Sequence, residues 1–165
     1  TYRNLGKLNI PHVVALGNHY IPAYGEQLYE LIYGPSNFSF IAGSYKFIVL
    51  NTNRLEYKNP VNVPDFDFMN QQIADCDKYE GTIVVMHAPP GGEQMSDKET
   101  VQKFSETLLQ IPNLYFCLYG HTHGHAVSEL LNDGIMYIGC DNIAKRSYLI
   151  IDLSPEKYAY EVIHF

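Results

Sequence analysis

The run Gly120-His121-Thr122-His123-Gly124-His125 places three imidazoles directly after an apolar segment, Leu114-Tyr115-Phe116-Cys117-Leu118-Tyr119. An apolar segment of that length, bounded by glycine, reads as a buried strand. The imidazoles are therefore delivered to a strand end. Two His separated by one residue project the same way from an extended backbone, and the flanking glycines let the chain turn sharply against whatever the rings hold. That is a way of presenting metal ligands. A polar loop of solvated histidines would carry the same residues, so the rest of the chain has to decide.

Two further segments repeat the pattern. Pro11-His12-Val13-Val14-Ala15-Leu16 is apolar and ends in Gly17-Asn18-His19, and Thr82-Ile83-Val84-Val85-Met86 ends in His87-Ala88-Pro89-Pro90. Each reads as a strand with a His at its terminal turn. In an open α/β sheet the carboxyl ends of the strands line the crevice where ligands sit, so three such ends are expected to converge. Imidazole nitrogen with amide oxygen is a borderline donor set suited to Mn, Fe, Zn, Co or Ni. The absence of thiolates at these turns argues against a structural zinc site.

The order Gly17-Asn18-His19, His87, then Gly120-His121-Thr122-His123 resembles the last three signature blocks of the calcineurin-like metallophosphoesterases. The segments Tyr33-Gly34-Pro35, Phe38-Ser39-Phe40, Gly43 and Phe47-Ile48-Val49-Leu50-Asn51-Thr52 resemble the strand pair that follows the family's Asn-His block. The resemblance implies an α/β fold, a two-sheet β-sandwich flanked by helices. It also implies two divalent transition-metal ions in the complete protein (Mn, Fe or Zn), with one or none held by these residues alone. Carried over by position, Asn18 (through its amide oxygen), His87 and His121 would hold one metal and His123 the other. His19 would be the catalytic histidine on the phosphate side, stabilising charge on the transferring group or protonating the leaving oxygen. Asn18, His19 and Tyr20 would face the substrate. The implied reaction is hydrolysis of a phosphomonoester or phosphodiester by a metal-activated water, without a covalent enzyme intermediate.

The chain departs from the family in two respects. The Asp-x-His and Gly-Asp-x-x-Asp blocks that open the family are absent, and the chain begins at Thr1 without an initiator Met. The expectation is one domain over 1–165, truncated at its N-terminus, with the first strands and half the ligands upstream. Tyr20 stands where the family usually has Asp or Glu, and it cannot supply a carboxylate to orient its neighbours. The alternative reading is a binding module of the same fold that retains fewer metals and recognises a phosphorylated ligand without turnover.

Composition narrows the classes further. A formal charge of −7, from 18 Asp plus Glu against 11 Lys plus Arg, argues against a broad phosphate-tracking surface and makes nucleic acid an unfavoured partner. Bound metals would still make the site locally positive toward a small phosphorylated substrate. No apolar run approaches the roughly 20 residues needed to span a bilayer and no signal peptide is visible. The chain reads as soluble, with the cytoplasm favoured but compartment and oligomeric state open. The three Cys are scattered without Cys-x-x-Cys spacing and read as free thiols, Cys117 within the core.

The elements that must position these residues follow from periodicity. Residues 26–33 carry apolar residues at helical spacing and stop at Gly34-Pro35. Strands are expected at 38–42 and 46–51, and a loop over 59–64. Asp65 should cap a helix over 66–79 with Phe66, Met69, Ile73 and Cys76 inward. A second covering helix over 97–110 turns Val101, Phe104, Leu108 and Ile111 inward. Strands at 134–139, 147–152 and 157–163 are expected to complete a second sheet. Substrate-dressing loops are expected at 20–24, 53–63 and 91–94. His125 falls outside the matched block and is expected at the rim, and His12 and His164 are expected to have no ligand role.

Overall fold

The structure, a computed structural model, describes residues 5–20, 25–53, 63–155 and 157–165, without the side chain of Tyr20. Its centre is a run of β-branched and aromatic segments: β2 (Tyr45–Leu50), β3 (Gly81–Met86) and β4 (Leu114–Tyr119). Strands buried on both faces lose their polar alternation, and β3 shows this in full. With β1 (Phe38–Ala42), β5 (Ala126–Ser128) and β6 (Tyr137–Gly139) they form a six-stranded sheet in the order β1-β2-β3-β4-β6-β5. The β2-β3, β3-β4 and β4-β6 pairs are parallel, and the edge strands β1 and β5 are antiparallel to their neighbours. Ala42 pairs with Tyr45 across a two-residue turn in which Gly43 takes φ 60°, a conformation that favours glycine.

Alternate side chains of this sheet face two different layers. Ile48, Leu50, Val84, Met86, Cys117 and Tyr119 pack against Met69, Cys76, Phe104 and Leu108 of the helical layer. Ile83, Phe116 and Ile138 face the other way, onto Leu149, Ile151, Leu153 and Tyr158. Those residues belong to β7 (Ser147–Ser154) and β8 (Lys157–His164), an antiparallel pair that forms the second sheet. The result is the two-sheet α/β sandwich with helices outside.

Among the described residues the helices are α1 (Gly25–Tyr33), α2 (Phe66–Ile73) and α3 (Lys98–Leu108). Asp65 and Asp97 cap the last two, accepting from the N–H groups of Phe68 (2.9 Å) and Thr100 (2.8 Å). The N–H of Gly34, at φ 92°, closes α1 onto the carbonyl of Glu30.

Three expectations need correction. The segment 11–16 forms no strand, and Val13 is 54% exposed. Its carbonyls are taken by side chains instead: Tyr29 donates to Val14, and Asn53 donates to Leu16. The helix from Phe66 ends at Ile73 rather than 79, because the residues beyond it have tertiary partners. Asp75 turns to Lys46, and the carbonyls of Cys76 and Tyr79 accept from Asn113 Nδ2 (2.8 and 2.6 Å). The segment 134–139 contributes β6 to the first sheet, next to β4, and not to the second. The short strand β5 is too brief and too exposed to carry a sequence pattern. The loop segments 21–24 and 54–62 lie outside the described residues.

Lys46, only 4% exposed, pairs with Asp75 and also donates to the carbonyl of Gln72 (2.7 Å). The hydrogen bond from Lys46 holds the Asp75 carboxyl below its ordinary range. Asp75→Asn is expected to strand the buried ammonium and destabilise the fold by about 2 kcal/mol at neutral pH. That is less than the roughly 3–5 kcal/mol of a fully buried pair, because Asp75 is 35% exposed. A depressed folded pKa contributes stability above the unfolded value, near 4, and loses it as the pH falls through the folded value. Urea unfolding of the two proteins should therefore converge in acid. A constant difference across pH would contradict the role given to the carboxylate.

Candidate metal centre

The parallel strands β2, β3, β4 and β6 all end on one edge of the sheet, and the chemistry-bearing residues follow those ends. His87 leaves β3 immediately after Met86, and Gly120-His121 leave β4 immediately after Tyr119. The Gly120 N–H donates to the His87 carbonyl at 3.0 Å, which locks the two turns together. Asn18 and His19 arrive in a 3-10 turn, Asn18–Tyr20, after the irregular segment that replaces the expected strand.

These turns converge. His87 Nε2 lies 2.9 Å from Asn18 Oδ1, and the rings of His87 and His121 stand 5.2 Å apart, edge to face at 76°. Since the amide oxygen only accepts, Nε2 carries the proton in this arrangement. With the proton on Nδ1 instead, the same two atoms become adjacent lone-pair donors. Glycines make room for the ring: a Cβ at Gly17 would stand 3.3 Å from His87 Cε1, and one at Gly120 would stand 3.5 Å from Nδ1.

Electrostatics favour the neutral ring. Burial first, then the neighbouring charges of His121, His19 and His123, push the His87 pKa down to about 4. A metal needs an unprotonated imidazole, and His87 supplies one at neutral pH without competition from a proton. The influence of three other histidines also places all four in one electrostatic neighbourhood.

The His-x-His turn is strained. His121 and His123 take φ 63° and 52°, and the Thr122 N–H donates back to the Gly120 carbonyl at 2.6 Å, closing a three-residue turn around His121. A left-handed non-glycine residue costs about 1–2 kcal/mol, and such residues persist only where their surroundings hold them. For His123 the holder is Lys145, whose ammonium donates to the His123 carbonyl and pairs with Asp141 Oδ1 at 3.1 Å. Asp141 and Lys145 come from the turn after β6, capped by Asn142. They were not legible as site residues because no periodicity or motif marks them.

The other expected residues sort cleanly. The His19 side chain is exposed, as is that of His123. His125 Nδ1 lies 3.0 Å from the Gly139 carbonyl, with its ring 5.5 Å from Tyr160. His12 is exposed, with Nδ1 3.3 Å from the Ile10 carbonyl. The side chain of Tyr20 lies outside the described residues. Cys140, next along from β6, is kept a thiol by burial, which raises its pKa. Among the described residues, no three His, Cys, Asp or Glu side chains are grouped closely enough to enclose an ion. The donors in contact are one amide oxygen and two imidazoles, a set that fits part of a transition-metal sphere.

A family model for calcineurin-like phosphoesterases matches residues 1–125. The chain belongs to the calcineurin-like phosphoesterase family. The match spans α1, β1 to β4 and the whole of the Gly120–His125 turn, so every candidate ligand of this phosphoesterase lies within it. Members of the family are generally hydrolytic and typically bind divalent metals. No curated protein sequence matches the chain. No helix among the described residues is long and apolar enough to cross a membrane.

Proposed function

We propose that this phosphoesterase acts on a small phosphomonoester or phosphodiester at a dinuclear metal site, with Asn18, His87 and His121 as ligands of one ion and His123 as a ligand of the other. The observation that supports this most directly is the contact of Asn18 Oδ1 with His87 Nε2 beside the His121 ring, at the carboxyl edge of a parallel sheet. Mn, Fe and Zn all suit these donors. When bound, the metals supply Lewis acidity toward the phosphoryl oxygens and an activated water for in-line attack.

The remaining work falls to the chain itself. The strained turn around His121 and His123 holds their backbone before any ligand arrives, so less ordering would be needed on binding. His19, whose side chain is exposed, would hold a proton on a ring nitrogen and pass it to the leaving oxygen. In this proposal the carboxylates that complete the site come from sequence preceding Thr1, and 1–165 is part of one domain.

A second reading, a binding module without turnover, draws support from one observation. Among the described residues no three His, Cys, Asp or Glu side chains are grouped closely enough to hold an ion. Hydrolysis of p-nitrophenyl phosphate and its bis ester in Mn²⁺ separates the two. The pKa of metal-bound water falls from about 9 for free aqueous Zn²⁺ to about 7 in a built zinc site. At about 1.4 kcal/mol per unit that is about 3 kcal/mol, or roughly 100-fold. The 165 residues alone are expected to be at least that much slower than a version extended upstream. Equal turnover would show that this chain holds a sufficient site. Full metal loading with no turnover in either form would favour the binding module.

A further inference from the structure

Three polar side chains follow β2 that the proposed chemistry does not use. Asn51, Thr52 and Asn53 are 3%, 0% and 0% exposed. Burying polar groups is costly unless they are hydrogen-bonded, so their partners indicate what they are for. The Thr52 hydroxyl donates to the Ala88 carbonyl (2.8 Å) and accepts from the Ala88 N–H (3.1 Å). Ala88 directly follows His87, so both backbone groups of that residue are held from β2. Asn53 Nδ2 donates to the Leu16 carbonyl at 2.6 Å, two residues before Asn18. Asn51 anchors the segment in turn, donating from Nδ2 to Glu26 of α1 (3.0 Å).

The reach of this short segment matters because 11–16 is not in a sheet. Ladder bonds place the β3 and β4 ends relative to each other, but none in the described residues places the Asn18 turn. Asn53 supplies what the ladder does not. Its own Oδ1 is buried without a partner among the described residues. Fold stability alone does not call for an amide in that position, whereas its donor has a definite use.

We infer that Thr52 and Asn53 are positioning residues: from the end of β2 they hold the His87 turn and the Asn18 turn at the separation a shared metal ion requires. This rests on the reading of Asn18 and His87 as ligands. Groups that orient ligands from behind typically contribute 10–100-fold in metal affinity.

Thr52→Val keeps the shape and removes both bonds to Ala88, and Thr52→Ser restores the hydroxyl. Mn²⁺ affinity by calorimetry and the visible spectrum of the Co²⁺-loaded chain are the readouts, taken well below the melting temperature of every variant. Leu108→Ala, a cavity in the helical layer at a residue outside the proposed ligand set and its hydrogen bonds, controls for general loss of stability. The expected result is about a 10–100-fold loss of Mn²⁺ affinity with a changed Co²⁺ spectrum in Thr52→Val. Thr52→Ser and Leu108→Ala should bind as the parent does. If Thr52→Val does not fold, Asn53→Ala releases Leu16 from the same segment and is read in the same way. Parental affinity and spectrum in the variant would overturn the positioning role and leave the proposed function standing. A loss shared by Leu108→Ala would overturn it too. A parent chain that binds neither metal would overturn the reading of Asn18 and His87 as ligands, and this inference with it.

Discussion

His87→Ala is expected to lower the affinity of the chain for Mn²⁺ or Zn²⁺ by more than about 100-fold, while His12→Ala leaves it unchanged. Removing a group that merely orients a ligand costs about 10–100-fold, and removing the ligand itself should exceed that range. His87 is the residue on which the other turns converge. It meets Asn18 through Nε2, faces the His121 ring, and lies under two glycines whose missing Cβ atoms leave it space. Its neutrality has a structural origin in burial, reinforced by three neighbouring histidines. His12, exposed and hydrogen-bonded to its local backbone, is the matched control. Calorimetric titration of the two variants against the parent decides the matter. If His87→Ala binds as tightly as the parent, the ion does not sit between these turns.

The two strand ends that carry His87 and His121 were legible because each follows an unbroken apolar run whose length suits a strand buried on both faces. The cap at Asp65 was legible for the same local reason: a short acidic side chain just before an amphipathic run has one good use. The segment before Asn18 misled, since five of the six residues from Pro11 to Leu16 are apolar. Hydrophobicity alone does not supply a neighbouring strand, and here Tyr29 and Asn53 take the carbonyls that a ladder would have used. The end of α2 was illegible because it is set by Lys46 and Asn113, residues distant in sequence. The same limit hid Thr52, Asn53, Asp141 and Lys145. Each acts on a residue at least 20 positions away or through a turn with no periodic signal.

His19→Ala is expected to lower turnover by about 10²–10⁴-fold, roughly 3–5 kcal/mol of transition-state stabilisation, with metal content unchanged. The expectation turns on a contrast between adjacent residues. Asn18 and His19 share one 3-10 turn, yet Asn18 is directed at His87 Nε2 while the His19 side chain is exposed. Exposure leaves the His19 ring accessible to a substrate, the role proposed for it. It remains close enough for its charge to depress the pKa of His87, so a protonated His19 would also contribute positive potential where a phosphoryl group acquires negative charge. Asn18→Ala should behave in the opposite way, reducing metal content first and activity as a consequence. Both variants should be made in an upstream-extended protein with measurable phosphoesterase activity, with metal stoichiometry and steady-state rates determined on the same preparations. Loss of metal in His19→Ala would make that ring a ligand and reassign the phosphate side to another residue. Full activity in His19→Ala would remove it from the chemistry, leaving the leaving group to be protonated by solvent.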